Sequence, residues 1–280
     1  MPSHLIGALS ALIASAMAGG ADFSGGFATR KYNQFQVLWL SSLTGTIILT
    51  ALALLLRDGL PSMRSIIFAA LAGAFGALGL AMLYYALAIG RAAIASSASG
   101  VVAAAAPVIF TAFVAGLPDP LTLLGFIIAA LGIWLTTKIL FVEGEESYRG
   151  LLPGILSGLG FGGFFIFIAQ IEPGYLYTPL AFGKLSAAAV ALIFLAVKRM
   201  PFPPVKANPY ALLAGFLDVL SNIFYLTATT LTRVDIAAVL ACTYPAVTVL
   251  LAVIILKERV SRTQKFGVFL CIIAIALIIT

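Results

Sequence analysis

Long apolar runs fill the chain from end to end, separated by short polar or Pro/Gly-rich breaks. The runs predict helices near residues 4–29, 34–56, 66–90, 92–117, 121–142, 151–171, 179–197, 210–232, 235–256 and 263–280. Each has roughly the 20 residues that a membrane-spanning helix needs, and inside a bilayer an open chain satisfies its own backbone polar groups only as a helix. Breaks such as Gly90-Arg91, Pro118-Asp119-Pro120 and Arg233-Val234 are so tight that neighbouring helices must run antiparallel. The expected fold class is an all-α integral membrane protein of ten transmembrane helices.

The pattern repeats. Gly7-Ala8-Leu9-Ser10-Ala11-Leu12 returns as Gly154-Ile155-Leu156-Ser157-Gly158-Leu159, and both read G-x-L-S-x-L at the start of a helix. Leu71-Ala72-Gly73 leads to Arg91 as Leu213-Ala214-Gly215 leads to Arg233, an offset of 142 residues (215 − 73) that Gly125 and Gly267 share. Pro107 and Pro245 break the register, being 138 residues apart (245 − 107), a slip of about one helical turn. These matches define a five-helix repeat over 1–142, a linker loop at 143–150 and a second five-helix repeat over 151–280. Because five is odd, the second repeat enters the membrane in the opposite sense, so the plan is an inverted repeat. Such repeats place a binding site near the bilayer midplane and support alternating access by rocking of one half on the other.

Composition narrows the class. The chain is 62% hydrophobic and 9% charged, with a mean hydropathy of +1.14, against roughly 25% charged residues in soluble domains. The formal charge of +6 is dispersed between apolar runs and forms no basic patch, so nucleic acid is not an expected partner. Loops after the odd-numbered helices carry twelve Lys and Arg, against Arg57, Arg64 and Arg233 on the other side. Positive residues favour the cytoplasm, so both termini are expected outside it, in a multi-pass protein of the inner (plasma) membrane. Ala16-Met17-Ala18 looks like a signal cleavage site, but no basic segment precedes it, and a retained first helix is expected. Cys242 and Cys271 lie in apolar runs without His or Cys at ligand spacing, and the only histidine is His4. Neither a metal nor another cofactor is expected. No G-x-x-x-x-G-K-[ST], H-E-x-x-H or G-x-S-x-G sequence occurs, which argues against ATP hydrolysis and against a membrane enzyme.

Few polar residues interrupt the apolar runs, and they are the candidates for binding. Gly215, Asp218, Asn222, Tyr225 and Thr229 recur at steps of three and four, on one face of the eighth helix. Asp218 lies about 12 Å along the axis from Tyr210, too deep for an unpaired charge in lipid. The corresponding residues of the third helix, Gly76, Leu80, Leu83 and Leu87, are apolar, so the stripe is not part of the shared packing plan. Asp218 and Asn222 are expected to meet a substrate's polar head, with Tyr225 and Tyr84 flanking its side chain. The structural alternative is a hydrogen-bond network to Ser96, Ser97, Ser99 or Gln170. Lys184 either snorkels outward or faces inward, and Tyr85 and Tyr244 are further stacking candidates. Pro107 and Pro245 sit mid-helix, where a missing N–H kinks the chain and offers a hinge. Asp22, within the Gly-rich end of the first helix, is a gating candidate. Gly154, Gly158 and Gly162, with Gly7, Ala11 and Ser15, form small-residue ridges for close helix packing.

The string Tyr244-Pro245-Ala246-Val247-Thr248-Val249-Leu250-Leu251-Ala252, followed by Leu256-Lys257-Glu258-Arg259, Gln264 and Gly267, resembles the EamA family of the drug/metabolite transporter superfamily. The first half keeps Ala106-Pro107-Val108-Ile109 but has Pro118-Asp119-Pro120 in place of the E-R loop. The resemblance implies a ten-helix permease and makes Glu258 and Arg259 a structural loop pair. Within the superfamily the branch that exports aromatic amino acids and cationic herbicides is the nearest. The expected function is a secondary transporter of small amphipathic metabolites, exporting amino acids by alternating access. A membrane-embedded enzyme or a facilitative channel is the alternative. The expected partners are the small-molecule substrate and the lipid bilayer, with the protein a monomer.

Overall fold

The computed structural model describes residues 3–29, 31–89, 92–137, 151–203, 208–244, 246–247, 251, 254 and 262–279. Among them are ten helices and no strand: α1 Ser3–Ala28, α2 Gln34–Leu55, α3 Met63–Ile89, α4 Ala92–Ala115, α5 Pro120–Thr137, α6 Leu151–Ile168, α7 Tyr177–Val197, α8 Pro209–Leu231, α9 Val234–Ala241 and α10 Arg262–Ile279. Seven of these are long and apolar enough to cross a membrane. Local chemistry starts them where the sequence allows. Asn33 and Gln36 form a reciprocal capping box at α2, and Asn208 caps α8 ahead of Pro209.

The ninth helix departs from its expected span. Its first segment ends at Ala241, Cys242 and Thr243 form a turn, and helical residues resume at Tyr244, Ala246, Val247, Leu251 and Ile254. A proline at 245 has no N–H for the Ala241 carbonyl, and the interruption falls at that residue. Pro245 itself lies outside the described residues, as do Lys257, Glu258, Arg259 and the linker at 143–150. By contrast α4 runs through buried Pro107 without interruption.

Helix pairing follows the internal repeat. The main contacts are α1 with α8, α3 with α6, α4 with α6, α2 with α7, α3 with α7, α2 with α8 and α5 with α10. Exchanging each helix for the one five places away turns α3–α6 into α8–α1 and α3–α7 into α8–α2, so the pairs carry over. Small residues allow the approach that lipid-embedded packing requires. A Cβ on Gly160 would stand 2.6 Å from Gly79 Cα, and one on Gly158 would stand 2.6 Å from the Ser99 carbonyl. Gly73 meets Gly183, and Gly215 presses on the Ser41 carbonyl. The buried centre is correspondingly rich in alanine, including Ala8, Ala11, Ala72, Ala103 and Ala238. Large side chains such as Ile47, Leu54, Phe113 and Ile193 point outward instead, as a lipid-facing belt does.

At one end of the bundle the two halves are laced together by polar contacts. Asp58 Oδ2 accepts from the Tyr177 and Thr178 backbone N–H groups at 2.6 and 2.7 Å, at the start of α7. Glu172 accepts from the Ser62 hydroxyl at 2.7 Å and from its N–H at 3.1 Å. Hydrogen bonds from Ser62 and Ser65, with the Arg64 charge beyond them, hold the Glu172 carboxyl below the usual carboxylate range.

Candidate functional site

A cavity opens between the two halves, with about 1100 Å³ of empty space when its open mouth is included. The first half contributes Asp22 from α1, Ser41 and Ser42 from α2 and Tyr84 from α3. From the second half come Phe161, Phe164 and Phe165 of α6, Lys184 of α7, Asp218, Asn222 and Tyr225 of α8, and Ala241 and Tyr244 at the break after α9. The lining thus includes residues on both sides of the turn at Cys242 and Thr243.

The two charges that sequence placed inside the membrane meet here. Lys184 Nζ donates to Asp218 Oδ2 in an ion pair, and the side chains are 12% and 41% exposed respectively. An ammonium that deep is tolerated only when paired or wet, and the pair supplies the partner. Lys184 therefore faces inward, its stem lying along Gly45 of α2. One turn along α8, Asn222 Nδ2 donates to Asp218 Oδ1 at 3.2 Å, so the three side chains form a single cluster. Tyr225 is buried with its hydroxyl donating to the Phe165 carbonyl at 3.3 Å. Of the serines, Ser99 bonds Ser157 at 2.9 Å and Ser221, which lines the cavity, donates to the Ala14 carbonyl at 2.9 Å, while the Ser96 and Ser97 side chains fall outside the described residues.

The stripe on α8 thus divides by depth. Asp218, Asn222 and Tyr225 reach the cavity, whereas Gly215 serves the α2 contact and Thr229 bonds the Leu226 carbonyl at 2.8 Å. Tyr84 is buried in the wall, its hydroxyl resting against Gly25, one turn along α1 from Asp22. Tyr85 points the other way. Successive helical residues diverge by about 100°, and Tyr85 is 46% exposed and absent from the lining. Pro107 is likewise away from the cavity. Asp22, the gating candidate in the Gly-rich end of α1, lines the same space as Lys184 and Asp218. Ser41, Ser42 and the three phenylalanines of α6 had not been singled out from sequence. The adjacent serines within an apolar helix were a usable signal, but phenylalanines in a run of phenylalanines were not.

The decisive comparison is with known families. The EamA-like transporter family matches the chain twice, over residues 5–138 and 148–280. The chain belongs to the EamA-like transporter family. It is therefore a multi-pass membrane transporter of the drug/metabolite superfamily, built from two family repeats, and the resemblance read from the ninth and tenth helices is borne out. No curated protein matches the chain. One solved crystal structure is similar over 98% of this chain and 97% of its own, with a TM-score of 0.75 at 20% identity. At that identity the likeness shows the fold alone.

Proposed function

We propose that this EamA-like protein is a secondary transporter that exports small amphipathic metabolites, amino acids in the first place, from the cytoplasm by alternating access. The observation that carries the reading is the Lys184–Asp218–Asn222 cluster in a cavity lined from both halves. A zwitterion has the complementary chemistry: its ammonium meets Asp218, its carboxylate meets Lys184 and the Asn222 amide, and Tyr84, Tyr225 and the α6 phenylalanines receive an apolar or aromatic side chain. The two repeats, 1–142 and 151–280, run in opposite senses through the inner (plasma) membrane with both termini outside the cytoplasm. Rocking one against the other exposes the cluster to each side in turn. Loops laced by Asp58 and Glu172 lie on the non-cytoplasmic side in this topology and form its closed gate.

Purified protein in proteoliposomes preloaded with unlabelled amino acid should accelerate entry of the labelled one, and the rate should saturate. Saturable counterflow separates a carrier from a channel. Flux that is linear in concentration, or no flux across a panel of amino acids and amines, would remove the carrier reading.

A further inference from the structure

The two ends of the α2–α7 pair are built on the same turn but carry different charges. Each helix closes in a Schellman-type turn: the Asp58 N–H donates to the Ala53 carbonyl and the Met200 N–H to the Leu195 carbonyl, both at 2.9 Å. The residue before each is an arginine in the left-handed region, Arg57 at φ 55° and Arg199 at φ 51°, and the two stand at the repeat offset of 142 residues (199 − 57). Beyond each turn the chain meets the start of the other helix. Thr178 Oγ1 donates to the Asp58 carbonyl at 3.0 Å at one end, and Gln36 Nε2, at the same offset, donates to the Pro201 carbonyl at 2.8 Å at the other. The counter-charge is what differs. One end balances Arg57 and Arg64 with Asp58 and Glu172. At the same offset the basic positions persist as Arg199 and Lys206, but the two acids are replaced by Met200 and Arg30. Residues 30–33 and 198–208 together carry five Lys and Arg and no Asp or Glu.

Packing gathers cations from both loops beside aromatic rings. Lys198 Nζ lies 5.0 Å from the centre of the Phe35 ring, and Phe35 stacks on Phe194 of α7. Phe202, 63% exposed, tilts against Trp39 at 5.2 Å. Lys31, Lys198 and Arg199 are exposed, and among the described residues no carboxylate pairs with any of them. Exposed aromatic rings and unpaired cations at the end of membrane-spanning helices match the headgroup layer of an anionic bilayer in both polarity and charge. We propose that Lys31, Lys198 and Arg199 hold the phosphate of an anionic phospholipid between the α1–α2 and α7–α8 loops. The lipid phosphate does at this end what the carboxylates of Asp58 and Glu172 do at the other: it laces the first repeat to the second. Phe202 enters the acyl boundary beside it. The proposal rests on the topology proposed above for the leaflet, the cytoplasmic one, and not for the partner.

Binding is read on the purified full chain in neutral detergent with a fluorescent short-chain phosphatidylglycerol and no transport substrate. Unlabelled phosphatidylglycerol should compete, and phosphatidylcholine or inorganic phosphate should not. Lys31→Gln and Arg199→Gly should each weaken binding about fivefold, the ~1 kcal/mol that a basic side chain contributes at an anionic surface. Arg57→Gly is the matched control, because glycine relieves the same left-handed turn at the end that holds the carboxylates. Both glycine variants should melt no lower than wild type, whereas only Arg199→Gly should lose lipid affinity. Lys31→Gln keeps the test available should Arg199→Gly fail to fold. Equal weakening by Arg57→Gly, competition by phosphatidylcholine as strong as by phosphatidylglycerol, or competition by inorganic phosphate overturns the proposal. So does tighter lipid binding when Glu143→Gln, Glu145→Gln and Glu146→Gln are combined, which would assign the patch to the acidic linker. Lipid binding as described, alongside absent counterflow, would remove the transport reading and keep the lipid site; counterflow without the lipid preference would do the reverse.

Discussion

Gly160→Ala tests whether the α3–α6 contact sets the shape of the cavity. The new Cβ would stand 2.6 Å from Gly79 Cα, 2.7 Å from Gly79 N and 2.9 Å from the Phe75 carbonyl oxygen. All three are backbone atoms of α3, so no side chain can turn aside. Carbon atoms pack at about 3.5–4.0 Å, and relief requires the helices to part by about 1 Å. Forcing methylenes into a packed interior costs typically ~1–3 kcal/mol, of which the better helix propensity of alanine returns roughly 0.5–1 kcal/mol. A net loss of about 1–2 kcal/mol is expected, and α6 carries the strain to Phe161, the next residue, in the cavity wall. Gly26→Ala is the control, since nothing lies within 4 Å of the position a Cβ would take there. It should leave stability unchanged or raise it by a few tenths of a kcal/mol to ~1 kcal/mol. The assay is thermal unfolding of both purified variants in the same detergent, with counterflow at matched reconstitution. Equal melting temperatures for Gly160→Ala and wild type, or a fall in Gly26→Ala as large as in Gly160→Ala, would refute the packing argument.

Three further perturbations address the site and the laced loops. Asp218→Asn and Asn222→Ala, reconstituted at equal amounts, should lower transport or change substrate preference with little effect on thermal stability; lost stability with unchanged specific activity would assign the cluster to structure instead. Asp58→Ala removes the acceptor for the first N–H groups of α7, a capping loss of about 1–2 kcal/mol, and should speed hydrogen exchange at Tyr177 and Thr178 while leaving α8 amides unchanged. Because Glu172 is held below the usual carboxylate range, its contribution is complete above that range and is lost as pH falls through the lowered value. The stability difference between wild type and Glu172→Gln should therefore shrink on acidification, and a difference that grows instead would contradict the sign.

The sequence by itself determined the class and much of the plan. Apolar runs of bilayer length can only be helices, and the returning G-x-L-S-x-L marked the same start at α1 and α6. Helical periodicity was enough to put Asp218, Asn222 and Tyr225 on one face, because within a helix the spacing along the chain fixes direction. It could not decide what that face met. Lys184 and Asp218 are 34 residues apart, and whether the ammonium snorkels or pairs depends on how α7 turns against α8, a matter of packing between helices. The same holds for Tyr84 and Tyr85, adjacent in sequence and sent to cavity and exterior by the rotation of α3 against its neighbours. Asp22 reads from sequence as a helix-end residue among glycines. Only when α1 lies against α8, with Tyr84 on Gly25, does it become the third charge of a cavity that holds one cation. Charges many residues apart acquire their partners, or lack them, from contacts that no local pattern encodes.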